Sequence, residues 1–262
     1  MQRTTIIPEI GPTDNSPLGA PKLTFGTQAA KPAFPTGGLF SSGSLRFDLN
    51  NITMVDLARE AFLNNSIHKD SETALKTFLL CLSITSHFEG GFDAVNTYDM
   101  AGISIGFLQF ARPEGGAGRL LELSGRPDLA DRIKKEFGTK DPHNSPAALK
   151  ARFNQELLRE VITAITATDG IKAQLAMAIN RNVGGQLYFE KAYKRYLELK
   201  LTDPMSCALL FDGAINMGAD SVINFPAFTQ GNDGGWLQIA ITKLSRPERR
   251  DGWTKMLNQN FA

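Results

Sequence analysis

Hydrophobic positions recur at the spacing of an α-helix along most of the chain after residue 50. Thr53 is placed to cap a first helix, and Asp70 or Ser71 is placed to cap a second one. The second helix carries an apolar series, residues 74–82, that contains few charges. We therefore expect this helix to be central and covered by protein on most sides.

The pattern changes after the second helix. Gly90 and Gly91 predict its end, because glycine is the usual residue just past a helix C-terminus. Ile103, Ile105 and Phe107 then recur at every second position, which is the period of a β-strand. The sequence therefore predicts a short hairpin or a small irregular sheet after the central helix.

Helical patterning resumes downstream of this hairpin. We predict helices over residues 119–123, 128–137, 146–168, 170–182, 186–200, 204–217 and 236–244. The expected fold is mainly α, within the α+β class: a helical domain with one small β-hairpin.

The start of the chain differs in composition from the remainder. Residues 1–45 are rich in Pro, Gly and Ser without sustained periodicity, so we expect an N-terminal arm, followed by a globular domain over residues 46–262. The 28 basic and 27 acidic residues give a net charge of +1, which predicts no nucleic-acid partner. No signal peptide is visible, and without an apolar run of about 18 residues we expect no membrane span.

Cysteine and carboxylate spacing argue against a metal site. Cys81 and Cys207 lie in apolar runs, which predicts two buried free thiols. Asp93, Asn96 and Asp99 could offer oxygen ligands to calcium, but they lack the loop spacing and closing Glu of an EF-hand. We expect no metal and no cofactor.

Glu89 is the first candidate for chemistry, because it is predicted to lie in the last turn of the apolar helix. The partial negative charge of a helix C-terminus and partial burial both disfavour an ionised carboxylate. A carboxyl group that stays protonated near neutral pH can serve as a general acid, and protonating a glycosidic oxygen is a common task for such a group.

A glycosidase needs a second, ionised carboxylate across the scissile bond. Asp99 is the best placed, because polar neighbours such as Asn96 and Tyr98 in a solvated hairpin favour its charged form. The hydroxyl of Ser104 could hold a water beside it. Taken singly, however, a Glu before a glycine pair and an Asp in a turn are more often structural than catalytic.

These residues together resemble a known family. Glu89-Gly90, then Asp99, then Gly-Ile-Ser-Ile-Gly over residues 102–106, look like the catalytic helix end and hairpin of the lysozyme-like superfamily. The spacing from Asp99 to the last of these glycines is similar to that of family 46 chitosanases. The ending Gly-Phe-Leu-Gln over residues 106–109 resembles the Gly-Leu-Met-Gln element of goose-type lysozymes and lytic transglycosylases.

A second resemblance lies downstream. Residues 187–192 and 208–218 are similar to paired helices of chitosanases and phage lysozymes. Asp212 and Asn216 in this segment share a helix face. They are either a buried polar pair that braces the structure or contacts in a binding cleft.

The resemblance implies a glycosidase acting on a β-1,4-linked aminosugar polymer, with Glu89 as general acid, Asp99 as base and Ser104 positioning water. The side chains expected to contact substrate are Asp93, Asn96, Tyr98, Gln109 and Asn216. The sequence departs from the family pattern in having Ser where Thr is usual at position 104 and a hairpin shorter than in chitosanases. Asp93 is a rival to Asp99 for the role of base.

The leading hypothesis is a muramidase that cleaves the glycan backbone of peptidoglycan. The alternatives are a chitosanase, a lytic transglycosylase that uses Glu89 alone, and a glycan-binding or structural module without turnover. Such an enzyme would reach the cell wall or periplasm by lysis, by phage injection or through a specialised secretion system, as an endolysin or an antibacterial effector. An immunity or inhibitor protein would be a partner only of a delivered toxin.

Overall fold

The computed structural model of the chain describes residues 39–41, 45–97, 102–138, 155–179, 187–228 and 233–260. These residues are mostly helical and contain one small antiparallel sheet. The α-helices among them are α1 Ile52–Asn65, α2 Glu72–Phe88, α3 Ala117–Leu123, α4 Pro127–Phe137, α5 Gln155–Thr166, α6 Thr168–Ile179, α7 Tyr188–Glu198, α8 Pro204–Met217, α9 Asp233–Ile241 and α10 Pro247–Asn260. The mainly α prediction is confirmed.

Local capping chemistry sets where several helices begin. Ser71 caps α2, because its side chain accepts a hydrogen bond from the backbone N–H of Ala74 at 3.1 Å, as predicted. The predicted cap of α1 at Thr53 is wrong. The side chain of Asn51 accepts from the backbone N–H of Met54 at 3.2 Å instead, so Thr53 falls inside the first turn.

Helix α2 is central, as predicted, and it packs against α8. The middle of α2 is buried without interruption from Thr77 to Ser86, and α8 is buried from Met205 to Ala214. Few charges interrupt these runs, so both helices can be covered on nearly all sides. Any polar group at the C-terminal end of α2 is therefore close to the core.

The sheet follows α2 in the chain. Its strands are β1 Leu39–Ser41, β2 Val95–Asn96, β3 Ser104–Ile105 and β4 Phe110–Ala111, antiparallel and in that order. Asn96 pairs with Ser104, and Leu39 pairs with Asn96 on the other side of β2. The predicted hairpin therefore exists, and a strand from inside the predicted N-terminal arm adds to its edge.

Several predicted segments extend beyond the described residues. Positions 146–154 of one predicted helix and 180–182 of another lie outside them, as does most of the 1–45 arm. Helix α10 was not predicted from the pattern. Within the described residues, no helix is long and apolar enough to cross a membrane.

Candidate functional site

Glu89 lies at the C-terminal end of α2. Its backbone N–H still donates to the carbonyl of Thr85 at 2.9 Å, and the residue after it leaves the helix. The chain then turns directly into β2. The Glu89 side chain is 10% exposed, so it lies at the edge of the core.

The carboxylate of Glu89 is paired with the guanidinium of Arg249 from α10. Arg249 is itself buried, with 6% of its side chain exposed. Its planar fork offers several donors in fixed directions, and this suits a site with more than one acceptor. The sequence argument for Glu89 took only the helix end and burial into account. The structure adds a third feature, a buried cation in direct contact with the carboxylate.

Asp212 from α8 is the second acidic partner of Arg249. Its Oδ1 lies 3.4 Å from Nη1 of Arg249, and its Oδ2 accepts a hydrogen bond from the Trp253 indole at 2.8 Å. The side chain is 0% exposed. The pKa of Asp212 is raised to about 6. Burial is the largest cause and the charge of Glu89 acts in the same direction, whereas Arg249 and the Trp253 indole act to lower the pKa.

Asn216 completes the polar contacts of Arg249. With its carboxamide turned to satisfy both groups, the Asn216 oxygen accepts from Nε at 2.8 Å and from Nη2 at 3.0 Å. The predicted helix face of Asp212 and Asn216 is therefore confirmed, and both side chains meet the same cation. We refer to Glu89, Arg249, Asp212 and Asn216 as the Arg249 cluster.

Aromatic side chains enclose this cluster. The Arg249 guanidinium lies 5.2 Å from the ring centre of Phe88, a cation–π distance, and the Phe88 ring stacks on Trp253 at 5.7 Å. Tyr188, at the start of α7, is also close: burial and the nearby charge of Glu89 both raise the pKa of its hydroxyl. Four helices, α2, α7, α8 and α10, therefore contribute to the surroundings of Glu89.

The sheet beside α2 carries the other predicted site residues that can be described. Asn96 and Ser104 are partners across β2 and β3, and both are buried, Ser104 with 1% exposure. Ile103 and Ile105 are buried as well. Both faces of β3 are thus covered by protein.

The side chains of Asp93 and Gln109 each form a hydrogen bond with a backbone group. Oδ1 of Asp93 accepts from the backbone N–H of Leu45 at 2.8 Å, so this carboxylate ties the N-terminal segment to the end of α2. Nε2 of Gln109 donates to the carbonyl of Gly106 at 3.0 Å, inside the turn between β3 and β4. The structure therefore gives each side chain a backbone partner, and their contact with substrate stays a prediction.

Asp99 and Tyr98 lie outside the described residues, so the predicted base has no measured separation from Glu89. For the described part of the chain, no group of three or more His, Cys, Asp and Glu side chains could hold a metal ion. Cys81 and Cys207 are buried free thiols, as predicted.

Two residues of the site were missed by sequence reasoning. Arg249 and Trp253 belong to a helix in which Met256 and Leu257 are also buried. These positions have the spacing of one helix face, but an arginine stands where an apolar residue would be expected. The helical spacing was thus present in the sequence, but a charged residue at one buried position kept it from being recognised.

Comparison of the chain with protein-family models, with curated proteins and with solved structures gave no match.

Proposed function

We propose that the protein is a glycoside hydrolase that cleaves β-1,4 bonds in the glycan backbone of peptidoglycan. Glu89 acts as the general acid, Asp99 as the base, and Ser104 helps to place the attacking water. The observation that supports this most is the position of Glu89. It stands at a helix end, its carboxylate is paired with a buried arginine, and its side chain is 10% exposed.

The Arg249 cluster suits a group that must change charge during a reaction. When a general acid gives its proton to a leaving oxygen, it becomes an anion, and a preorganised cation beside it stabilises that product. Arg249 cannot swing away easily, because Asn216 accepts hydrogen bonds from its Nε and Nη2 and the Asp212 carboxylate attracts its Nη1 across 3.4 Å. The same contacts fix the direction in which the Glu89 carboxyl faces.

The main test is a zymogram on purified cell wall that compares the wild type with Glu89→Gln. The amide keeps an oxygen that can accept from Arg249 but cannot supply the proton, so we expect clearing to fall by about 10²–10⁴-fold. Glu72→Gln is a matched control, since Glu72 lies in the first turn of the same helix and is exposed. Undiminished clearing by Glu89→Gln would rule out the assignment.

The base is tested separately with Asp99→Asn and Asp93→Asn. A hydrolase that uses Asp99 to activate water loses activity in the first variant by about 10²–10⁴-fold. A loss of this size in Asp93→Asn but not in Asp99→Asn would identify Asp93 as the base instead. Activity that survives in Asp99→Asn but not in Glu89→Gln would identify a lytic transglycosylase.

The substrate is tested by running the same gels on chitosan. Chitosan is a polycation and favours enzymes with an acidic cleft, whereas this chain has a net charge of +1. We therefore expect clearing on cell wall and little on chitosan. Retention on cell wall without clearing of either polymer would identify a glycan-binding module instead.

Delivery to the wall by lysis, phage or a specialised secretion system is part of the proposal, with the N-terminal arm as a candidate loading tag. An export assay of a chain that lacks residues 1–38 tests this idea. That deletion leaves β1 in place, so a change in export would not arise from loss of the edge strand.

A further inference from the structure

Gln174 on α6 is a polar side chain at the centre of the protein, with 0% exposure. Its Oε1 accepts from the backbone N–H of Phe107 at 2.9 Å. Its Nε2 donates to the carbonyl of Phe92 at 3.1 Å and to that of Ile165 at 2.9 Å. The donors of the carboxamide and one acceptor site are thus used, and every bond goes to backbone.

The three backbone partners of Gln174 lie in separate segments of the chain. Phe92 lies in the turn that leads from Glu89 to β2, and Phe107 lies in the turn that follows Ser104. Ile165 lies near the end of α5. A single side chain therefore holds the segment after Glu89 and the segment after Ser104 to the same helical platform.

Gly106 makes this contact possible. It has a φ of +78°, a conformation that L side chains rarely adopt, and a Cβ at this position would lie 2.3 Å from Oε1 of Gln174. Any larger residue would displace the carboxamide. The glycine thus allows the backbone of the turn to approach Gln174 closely.

A second contact connects the same two segments. The rings of Phe92 and Phe107 lie 4.6 Å apart and both side chains are fully buried. Ring packing keeps the segments together but is weakly directional, whereas hydrogen bonds to fixed backbone groups set a direction and a distance. Gln174 adds directional bonds from α6 to those that the segments make with each other, such as the hydrogen bond from the Gly106 N–H to the Ala94 carbonyl at 2.8 Å.

We propose that Gln174 is a positioning residue, which sets the hairpin that carries Ser104 relative to the helix end that carries Glu89. This inference rests on the proposed glycosidase function for its catalytic consequence. Its structural part, the alignment of the two segments, stands on the hydrogen bonds alone. Gln174 does not touch the Glu89 carboxylate in any contact described above, so it acts through the backbone.

The test replaces Gln174 by Met, which has a similar length but no hydrogen-bonding amide. We expect amide hydrogen exchange over residues 92–97 and 102–110 to rise about tenfold while exchange in α8 stays unchanged. With cell wall as substrate, kcat should fall about 100-fold, since small misplacements of catalytic groups are costly, and KM should change by less than about twofold.

Leu175→Ala is the matched control for a simple loss of stability. Leu175 is the next residue on α6 and is equally buried, but its side chain makes no hydrogen bond. It should lower the unfolding temperature without a selective rise in exchange at residues 102–110. A fall in kcat in Leu175→Ala as large as in Gln174→Met would overturn the positioning role.

Gly106→Ala tests the same contact from the other side and serves if Gln174→Met does not fold. Because its methyl group displaces the carboxamide, its effect on exchange and that of Gln174→Met should not add in the double variant. Additive effects would contradict a shared contact. If the wild type clears no glycan, the proposed function fails, but the exchange data still decide whether Gln174 aligns the two segments.

Discussion

Arg249 contacts Glu89 across 160 positions of sequence and so joins the last described helix to the end of the central one. The same guanidinium reaches Asp212, which makes it the only cation described here that touches two largely buried carboxylates. Breaking a buried ion pair leaves uncompensated charge in the core, and this cost is larger than any gain from the pair itself.

Arg249→Met should therefore destabilise the protein by about 3–5 kcal/mol, as removal of one partner of a buried pair usually does. Urea denaturation monitored by tryptophan fluorescence or circular dichroism measures this. Arg249→Lys should have an intermediate effect, because a lysine keeps the charge but cannot offer the same fork of donors to Glu89, Asp212 and Asn216.

Arg132→Met is the control for this series. Arg132 pairs with Glu160 at 2.7 Å, but both side chains are in contact with solvent, so its loss should cost far less stability than the loss of Arg249. Equal costs for the two methionine variants would show that the Arg249 cluster contributes little to stability.

The pKa of Asp212, about 6, should respond in opposite directions to two substitutions. Glu89→Gln removes a neighbouring negative charge and should lower it, and Trp253→Phe removes a hydrogen bond to the charged form and should raise it. Carbon-13 NMR of the carboxyl group during a pH titration measures both shifts. Shifts of the same sign would mean that the two neighbours are wrongly assigned.

The raised pKa of Asp212 also has a consequence for stability. Its folded value of about 6 exceeds the reference value of 3.8, so the native state binds more protons than the unfolded state between these values. The stability that the protonated Asp212 carboxyl gives the native state is therefore fully present below pH 3.8. It is lost as the pH rises through 6, and above pH 6 the free energy of unfolding no longer changes on account of Asp212. The wild type should therefore lose unfolding free energy between pH 4.5 and pH 7, and Asp212→Asn should lose less of it, because it has no carboxyl group to titrate at this position.

Local sequence signals predicted much of the helical fold. Helix α8 runs from Pro204 to Met217, the limits that the pattern gave, because Asp203 accepts from the N–H of Met205 and Pro204 fits the first turn. Ser71 is a cap for the same kind of local reason. Such signals lie within a few residues of each other, so they can be read without knowledge of the tertiary structure.

The site was only partly predictable for the opposite reason. Glu89 could be found from its helix end, but Arg249 is defined by contacts with α2 and α8 and occupies a buried position in a highly polar helix. Gln174 was likewise unremarkable in sequence, since its partners are backbone groups of distant segments. The roles of Asp99 and Tyr98 stay predictions.

Cys81 and Cys207 should be unreactive in the folded protein. Burial raises the pKa of the Cys81 thiol well above its usual range, and the adjoining Cys207 thiol adds to this effect, so little Cys81 thiolate forms at pH 8. Cys207 is fully buried, so a reagent cannot reach it in the folded protein. We expect a disulfide reagent such as DTNB to label neither thiol in buffer and both in guanidinium. Rapid labelling of the native protein would show that α2 and α8 separate readily.

Two N-terminal deletions, one that keeps β1 and one that removes it, should differ in stability. Deletion of residues 1–45 removes Leu45, whose N–H donates to Asp93 at 2.8 Å and whose carbonyl accepts from Phe92 at 2.7 Å, together with the strand that pairs with β2. Deletion of residues 1–38 retains all of these contacts, which lie next to Glu89. We therefore expect the longer deletion to have the lower melting temperature and faster amide exchange over residues 92–97. Equal melting temperatures and equal exchange in the two truncations would show that β1 and Leu45 do not stabilise the end of α2.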